Sequence, residues 1–123
     1  MTSGSIKIMS VISLLALQGC TTTEVQYSES DFEVQQGRKA WQQHCAACHG
    51  KELQGTEQGP PLIHDLYIPS HHSDRTFVKA VTSGVHQHHW EFGDMPPQPQ
   101  VNQMTTNDLV IYIRFKQRQQ GLY

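Results

Sequence analysis

Five consecutive residues constrain this chain more than any other feature: Cys45-Ala46-Ala47-Cys48-His49. On a helical turn, cysteines three positions apart share one face, so both thiols can bond one flat partner while the adjoining imidazole reaches it from the same side. That geometry suits covalent haem c, with a thioether from each sulfur to a vinyl group and His49 on the iron. Two other chemistries use paired cysteines. A thiol redox pair sits at a strand-to-helix turn of a βαβ unit, and no strand-rich stretch precedes Cys45. Structural zinc requires two further ligands at regular spacing, which the histidines of the chain could supply.

The chain has 123 residues, three cysteines and eight histidines. An odd cysteine count leaves at least one outside any intramolecular pair. The third, Cys20, follows Lys7, an apolar run over residues 8–17, and Gln18-Gly19. A charged residue ahead of a short apolar stretch has the proportions of an export signal, and the run is short of the ~20 residues that span a bilayer. A buried helix of the folded domain is the other reading. Leu17-Gln18-Gly19-Cys20 resembles the lipobox of bacterial lipoproteins, which implies lipid on Cys20 as the first mature residue. Ordinary cleavage nearby would leave Cys20 free. With two thiols on haem and one on lipid every cysteine has a use, and both uses belong outside the cytoplasm.

The expected organisation is therefore a signal over 1–19, a flexible tether over 20–30 without apolar periodicity, and one domain over 31–123. A net charge of −2 and a pI near 6.4 leave no basic footprint, so nucleic acid is not an expected partner. Charged residues make up 16% of the chain, too few for a disordered acidic or basic tail.

Within the domain, Asp31 is a candidate cap for a helix from Phe32 to His44. Ser73 and Gly84 bracket a second helix over 74–83, with Phe77 and Val81 on one face. Thr105 and Asp108 have the spacing of a capping box ahead of the buried stripe Leu109, Tyr112 and Ile113. Arg114, Lys116 and Arg118 suit the dipole at that helix's C-terminal end, and Gly121 ends it.

Four features in order resemble a class I c-type cytochrome over roughly residues 32–121: a helix leading into Cys45–His49, the segment Gly59-Pro60-Pro61-Leu62, the loop Gly93-Asp94-Met95-Pro96, and an aromatic-bearing C-terminal helix. The resemblance implies an all-α fold in which the N- and C-terminal helices pack together and loops enclose one covalent haem. It implies that Gly37 admits the C-terminal helix while Trp41 packs across it, and that the Pro60 carbonyl accepts the Nδ1 proton of His49, leaving Nε2 for iron. It also implies a methionine as second axial ligand. Met95 is the best candidate, with Gly93 allowing close backbone approach and Pro96-Pro97 holding the loop extended; Met104, beside the expected cap at Thr105, competes with it.

The run Val85-His86-Gln87-His88-His89-Trp90 leaves alternatives open. His86, His88 and His89 are solvated surface or pocket scaffolding, a copper or zinc site shared with His64, His71 or His72, or a source of nitrogen ligation to the iron. Trp90 is expected to wall the haem and donate to a propionate.

These expectations describe a one-electron carrier and not an enzyme. It would be monomeric, lipid-tethered on the periplasmic side of a membrane (the outer one, since Thr21 rather than an acidic residue follows Cys20) or else soluble there, and in transient contact with redox proteins such as an oxidase, reductase or dehydrogenase. The alternatives are a haem peroxidase or gas-binding site with a displaceable sixth ligand, and a copper-binding accessory module.

Overall fold

The computed structural model describes residues 25–123; the export segment, Cys20 and the first part of the tether lie outside the described residues. Four α-helices follow in order: α1 over Phe32–His44, α2 over Ala46–His49, α3 over Asp74–Ser83 and α4 over Gln103–Gln119. A single 3-10 turn, Asp65–Tyr67, interrupts the loop between α2 and α3. Among the described residues there is no strand, and the only extended pairing is an antiparallel bridge between Val85 and Met95. The architecture is all-α, as expected, with α1 packed across α4 and α3 leaning on α4.

Helix starts differ from the sequence reading in their chemistry. α1 begins after Asp31, but that carboxylate accepts hydrogen bonds from the Ser28 N–H (2.8 Å) and hydroxyl (2.9 Å) and leaves the helix uncapped by a side chain. The pre-helix segment is thereby folded into a turn, and Tyr27 packs on the core. Ser73 precedes α3, yet its hydroxyl meets Thr76 Oγ1 instead of a backbone N–H. α4 starts earlier than the Thr105–Asp108 box would put it. Asn102 is the cap, its side-chain oxygen accepting from the Thr105 N–H at 2.9 Å, so Thr105 receives the cap instead of supplying it.

The α1–α4 crossing is set by Gly37. A Cβ there would lie 2.1 Å from the Asp108 carbonyl oxygen and 2.6 Å from Tyr112 Cβ, distances no side chain tolerates. Glycine costs about 1 kcal/mol of helix propensity relative to alanine, and the close approach it permits buries Val34, Ala40 and Trp41 against Leu109, Tyr112 and Ile113. Each of the larger aliphatic side chains contributes roughly 1.5–3 kcal/mol on burial. Trp41, 1% exposed, also donates its indole N–H to the Gly50 carbonyl at 2.9 Å, tying α1 to the loop after His49.

Arg114 departs most from expectation. It does not face solvent at the helix end but is buried inside α4, 4% exposed. Its guanidinium donates to Asp74 Oδ1, the Tyr67 carbonyl and Gln117 Oε1, each at 2.7 Å, and to the His72 carbonyl. Gln117, wholly buried, donates to the carbonyls of Leu62 and Tyr67. A buried cation survives only when its donors are satisfied. Here the loop carbonyls between α2 and α3 do so, and α4 thereby fixes the path of the segment from Leu62 to His72.

Candidate functional site

Between α1, α4, α3 and the loops lies an apolar cleft of about 950 Å³, open mouth included. Its floor is built from Trp41, Leu62, Phe77, Val81, Leu109 and Ile113. Cys45, His49 and Pro60 form one side, and the segment from Val85 to Met95 forms part of the other.

On the first side, α1 ends at His44, Cys45 links it to the single turn of α2, and His49 closes that turn. His49 Nδ1 donates to the Pro60 carbonyl at 2.9 Å, the bond the sequence comparison implied. Burial lowers the pKa of His49 and the Pro60 carbonyl partly opposes this, so at neutral pH the ring is neutral with its lone pair on Nε2. Burial, with the neighbouring Cys48 thiol adding to it, pushes the Cys45 thiol up to about 12. A thiol redox pair needs a thiolate near neutral pH; Cys45 is the opposite, a protonated sulfur facing carbon. Cys48 is exposed, with Sγ 3.7 Å from Gln58 Oε1.

On the second side, Met95 and Val85 exchange both backbone hydrogen bonds at 2.9 Å. Gly84 makes this possible. Its φ of +74° lies in the left-handed half of the map, and a Cβ would stand 2.6 Å from the Met95 carbonyl oxygen. Gly93 has φ +86° and lines the cleft, with no protein atom within 4 Å of where its Cβ would be. Met95 lines the cleft, whereas Met104 projects from the first turn of α4 with 77% of its surface exposed. Trp90 also lines the cleft, but its indole N–H donates to the Tyr67 hydroxyl at 3.1 Å, so the donor expected to meet a propionate has a protein partner.

The histidines are sorted by the fold in a way their spacing did not show. His86 turns outward and donates from Nδ1 to Asp94 Oδ2 at 2.7 Å. The Gln87 N–H and then His86 hold the Asp94 carboxyl below the usual carboxylate range. His88 Nδ1 donates to the His86 carbonyl at 2.8 Å, and its ring lies 4.3 Å from that of His89. His64 caps the 3-10 turn by accepting from the Leu66 N–H. His86, His88 and His89 do not converge on their own; of the combinations the sequence left open, the one whose ring nitrogens converge among the described residues joins His89 to His71 and His72, all within 4.8 Å of one another. The burial of Arg114 and the His72–Leu66 hydrogen bond had no local signal in the sequence.

An all-α domain that sets a CxxCH turn, a proline-anchored imidazole and a methionine around one apolar cleft is a c-type cytochrome. The family model described as cytochrome c oxidase, cbb3-type, subunit III matches residues 32–113, and the chain belongs to that family. No curated protein and no solved structure matches it. Membership implies covalently bound haem c and electron transfer. The residues present fit that group: a carbon-lined cleft, a protonated thiol on its wall, and an imidazole whose free nitrogen is already chosen by Pro60.

Proposed function

We propose that this chain holds a single haem c through Cys45 and Cys48, with His49 and Met95 as axial ligands, and passes one electron at a time between redox proteins of the cell envelope. The observation that carries the reading is the His49–Pro60 hydrogen bond, made at the wall of an apolar cleft that also receives Met95. Bound haem supplies a one-electron iron couple whose potential responds to axial ligands, hydrogen bonds and burial. The Pro60 carbonyl holds the His49 ring in one tautomer and raises its basicity. The apolar floor excludes water, which limits solvent reorganisation on electron transfer. Met95, whose backbone is bridged to Val85, lines the cleft, and as the second axial ligand it would fill the position a substrate or gas would need, which would favour a carrier over an enzyme.

The matching family is described as an oxidase subunit, so a terminal oxidase component is the first partner to test, meeting the cleft mouth through a small transient interface. Lipid on Cys20 would confine the monomeric carrier to the same membrane surface as that partner and raise encounter frequency.

In protein matured by a host that attaches haem c, Met95→Ala should abolish the iron–sulfur charge-transfer absorption and lower the reduction potential; an unaltered spectrum would remove Met95 from the iron. Rapid gas binding by the unmutated ferrous protein would move the assignment to a reaction site. Cys20→Ser should shift the protein from the membrane to the soluble fraction, and persistent membrane association would rule out the lipid anchor.

A further inference from the structure

His71 and His72 lie just before α3, and His89 lies in the loop between α3 and Met95. Their rings meet at the rim of the cleft, with centroids 4.8 Å apart for His71–His72, 5.2 Å for His71–His89 and 5.1 Å for His72–His89. His71 Nε2 stands 3.4 Å from His89 Nε2. The two nitrogens share a hydrogen bond at that distance; two imidazole nitrogens each ~2.05 Å from one tetrahedral ion stand about 3.3 Å apart, so an ion could replace the shared proton with little movement of the rings.

The third ring is the more telling. His72 is 7% exposed, and its Nδ1 donates to the Leu66 carbonyl at 2.5 Å. That bond leaves Nε2 as the lone-pair nitrogen and orients the ring, the arrangement metal-bound histidines use when a backbone carbonyl takes the second N–H. The backbone of His72 is anchored in turn, its carbonyl accepting from the buried Arg114 guanidinium. His72 and the two exposed histidines each bring one ring nitrogen to within 4.8 Å of the others.

We propose that His71, His72 and His89 bind one divalent late first-row transition ion of the copper–zinc class, held by three neutral imidazoles with a further coordination position for water. A donor set of nitrogen alone selects against calcium and magnesium, which require oxygen ligands. His88, whose ring is 5.9 Å from His72 and 4.3 Å from His89, is the nearest additional donor. The bound ion would join the segment before α3 to the loop that leads to Met95, closing one corner of the cleft mouth. None of these three residues is a haem ligand in the reading proposed above, but His72 and His89 line the same cleft as Cys45, His49 and Met95, so the haem spectrum has to be followed in the same experiment.

The test is titration of the untagged, haem-loaded chain with Cu²⁺, followed by electron paramagnetic resonance, with Zn²⁺ as competitor and the visible haem spectrum recorded in parallel. The expected result is one equivalent of copper with nitrogen hyperfine structure, displaced by zinc while the haem bands stay unchanged. His71→Ala and His89→Ala replace exposed rings, so the fold should persist, and each should weaken binding more than about tenfold. His86→Ala, which alters the neighbouring outward-facing histidine, should leave binding unchanged. Absence of a stoichiometric copper signal, equal affinity in the His71 and His89 variants, or loss of binding in His86→Ala would each overturn the assignment. So would a change of the haem bands in His71→Ala or His89→Ala, because the ring would then be acting on the iron.

Discussion

The two sides of the cleft are built by different means. On the His49 side, the imidazole is gripped from behind by the Pro60 carbonyl, α1 is welded to α4 at Gly37, and Trp41 bonds the loop after the motif. On the Met95 side, a two-bond bridge, a left-handed glycine and exposed side-chain contacts such as His86–Asp94 hold a loop with little core of its own. Burial stabilises the first in proportion to area, whereas surface pairs contribute little and are screened by solvent. One side is thus suited to permanent attachment. The other, under the proposed ligation by Met95, would be suited to adjusting the iron's second ligand and to meeting partners.

The largest effect should come from the crossing. Helix propensity alone predicts that Gly37→Ala would stabilise α1 by ~1 kcal/mol. The Asp108 oxygen 2.1 Å from the new Cβ predicts the reverse, a net loss of about 3 kcal/mol as the helices part. Chemical denaturation of the haem-loaded protein decides the sign, and a stabilised variant would mean that the crossing yields easily and the contrast between the two sides is smaller than drawn.

Gly84→Ala should have an intermediate effect. The residue has φ +74° and ψ −179°, a region reserved for glycine, where alanine costs about 1–3 kcal/mol. Because its Cβ meets the Met95 carbonyl, the variant should also perturb the iron–sulfur absorption, which Gly37→Ala should affect only through global unfolding. Loss of stability with an untouched absorption would separate the loop backbone from the ligand.

Asp94→Asn should have the smallest effect and one that depends on pH. The folded carboxyl titrates below its usual value of 3.8, chiefly because the Gln87 N–H and then His86 favour the charged form. A depressed folded value adds stability above 3.8, and that contribution vanishes as pH falls through the folded value. Acid denaturation curves should therefore show the wild type ahead of Asp94→Asn at neutral pH and the two converging in strong acid. Parallel curves down to the acid limit would show that the carboxylate does not help hold the loop.

Much of this was legible one segment at a time. The extent of α1 and α3, the buried stripe of α4 and the roles of Gly37 and Trp41 follow from spacing and from the family pattern, because each depends on neighbours within a few turns. The start of α4 was misjudged: two residues can each suit a cap, and the one whose oxygen reaches the N–H at the third helical position wins, here Asn102 over Thr105. The contact of Gly84 with the Met95 carbonyl had no signal in the sequence, since eleven positions separate the two and only the path of the loop presses them together.

The haem-binding motif is a pattern of adjacent residues, so its chemistry is set before the chain folds. The cysteines, the imidazole and the helices that carry them required no knowledge of distant contacts. Partnerships across 18 or 40 positions are another matter: His71 with His89, two loop residues, and Arg114 of α4 with Asp74 at the start of α3, arise only when separate segments are brought together. Side-chain direction alternates or rotates with every residue, so a small change in loop path exchanges one histidine for its neighbour. That is why the sequence could offer His88 or His89 with His64, His71 or His72, and packing decided that His71, His72 and His89 are the three that converge.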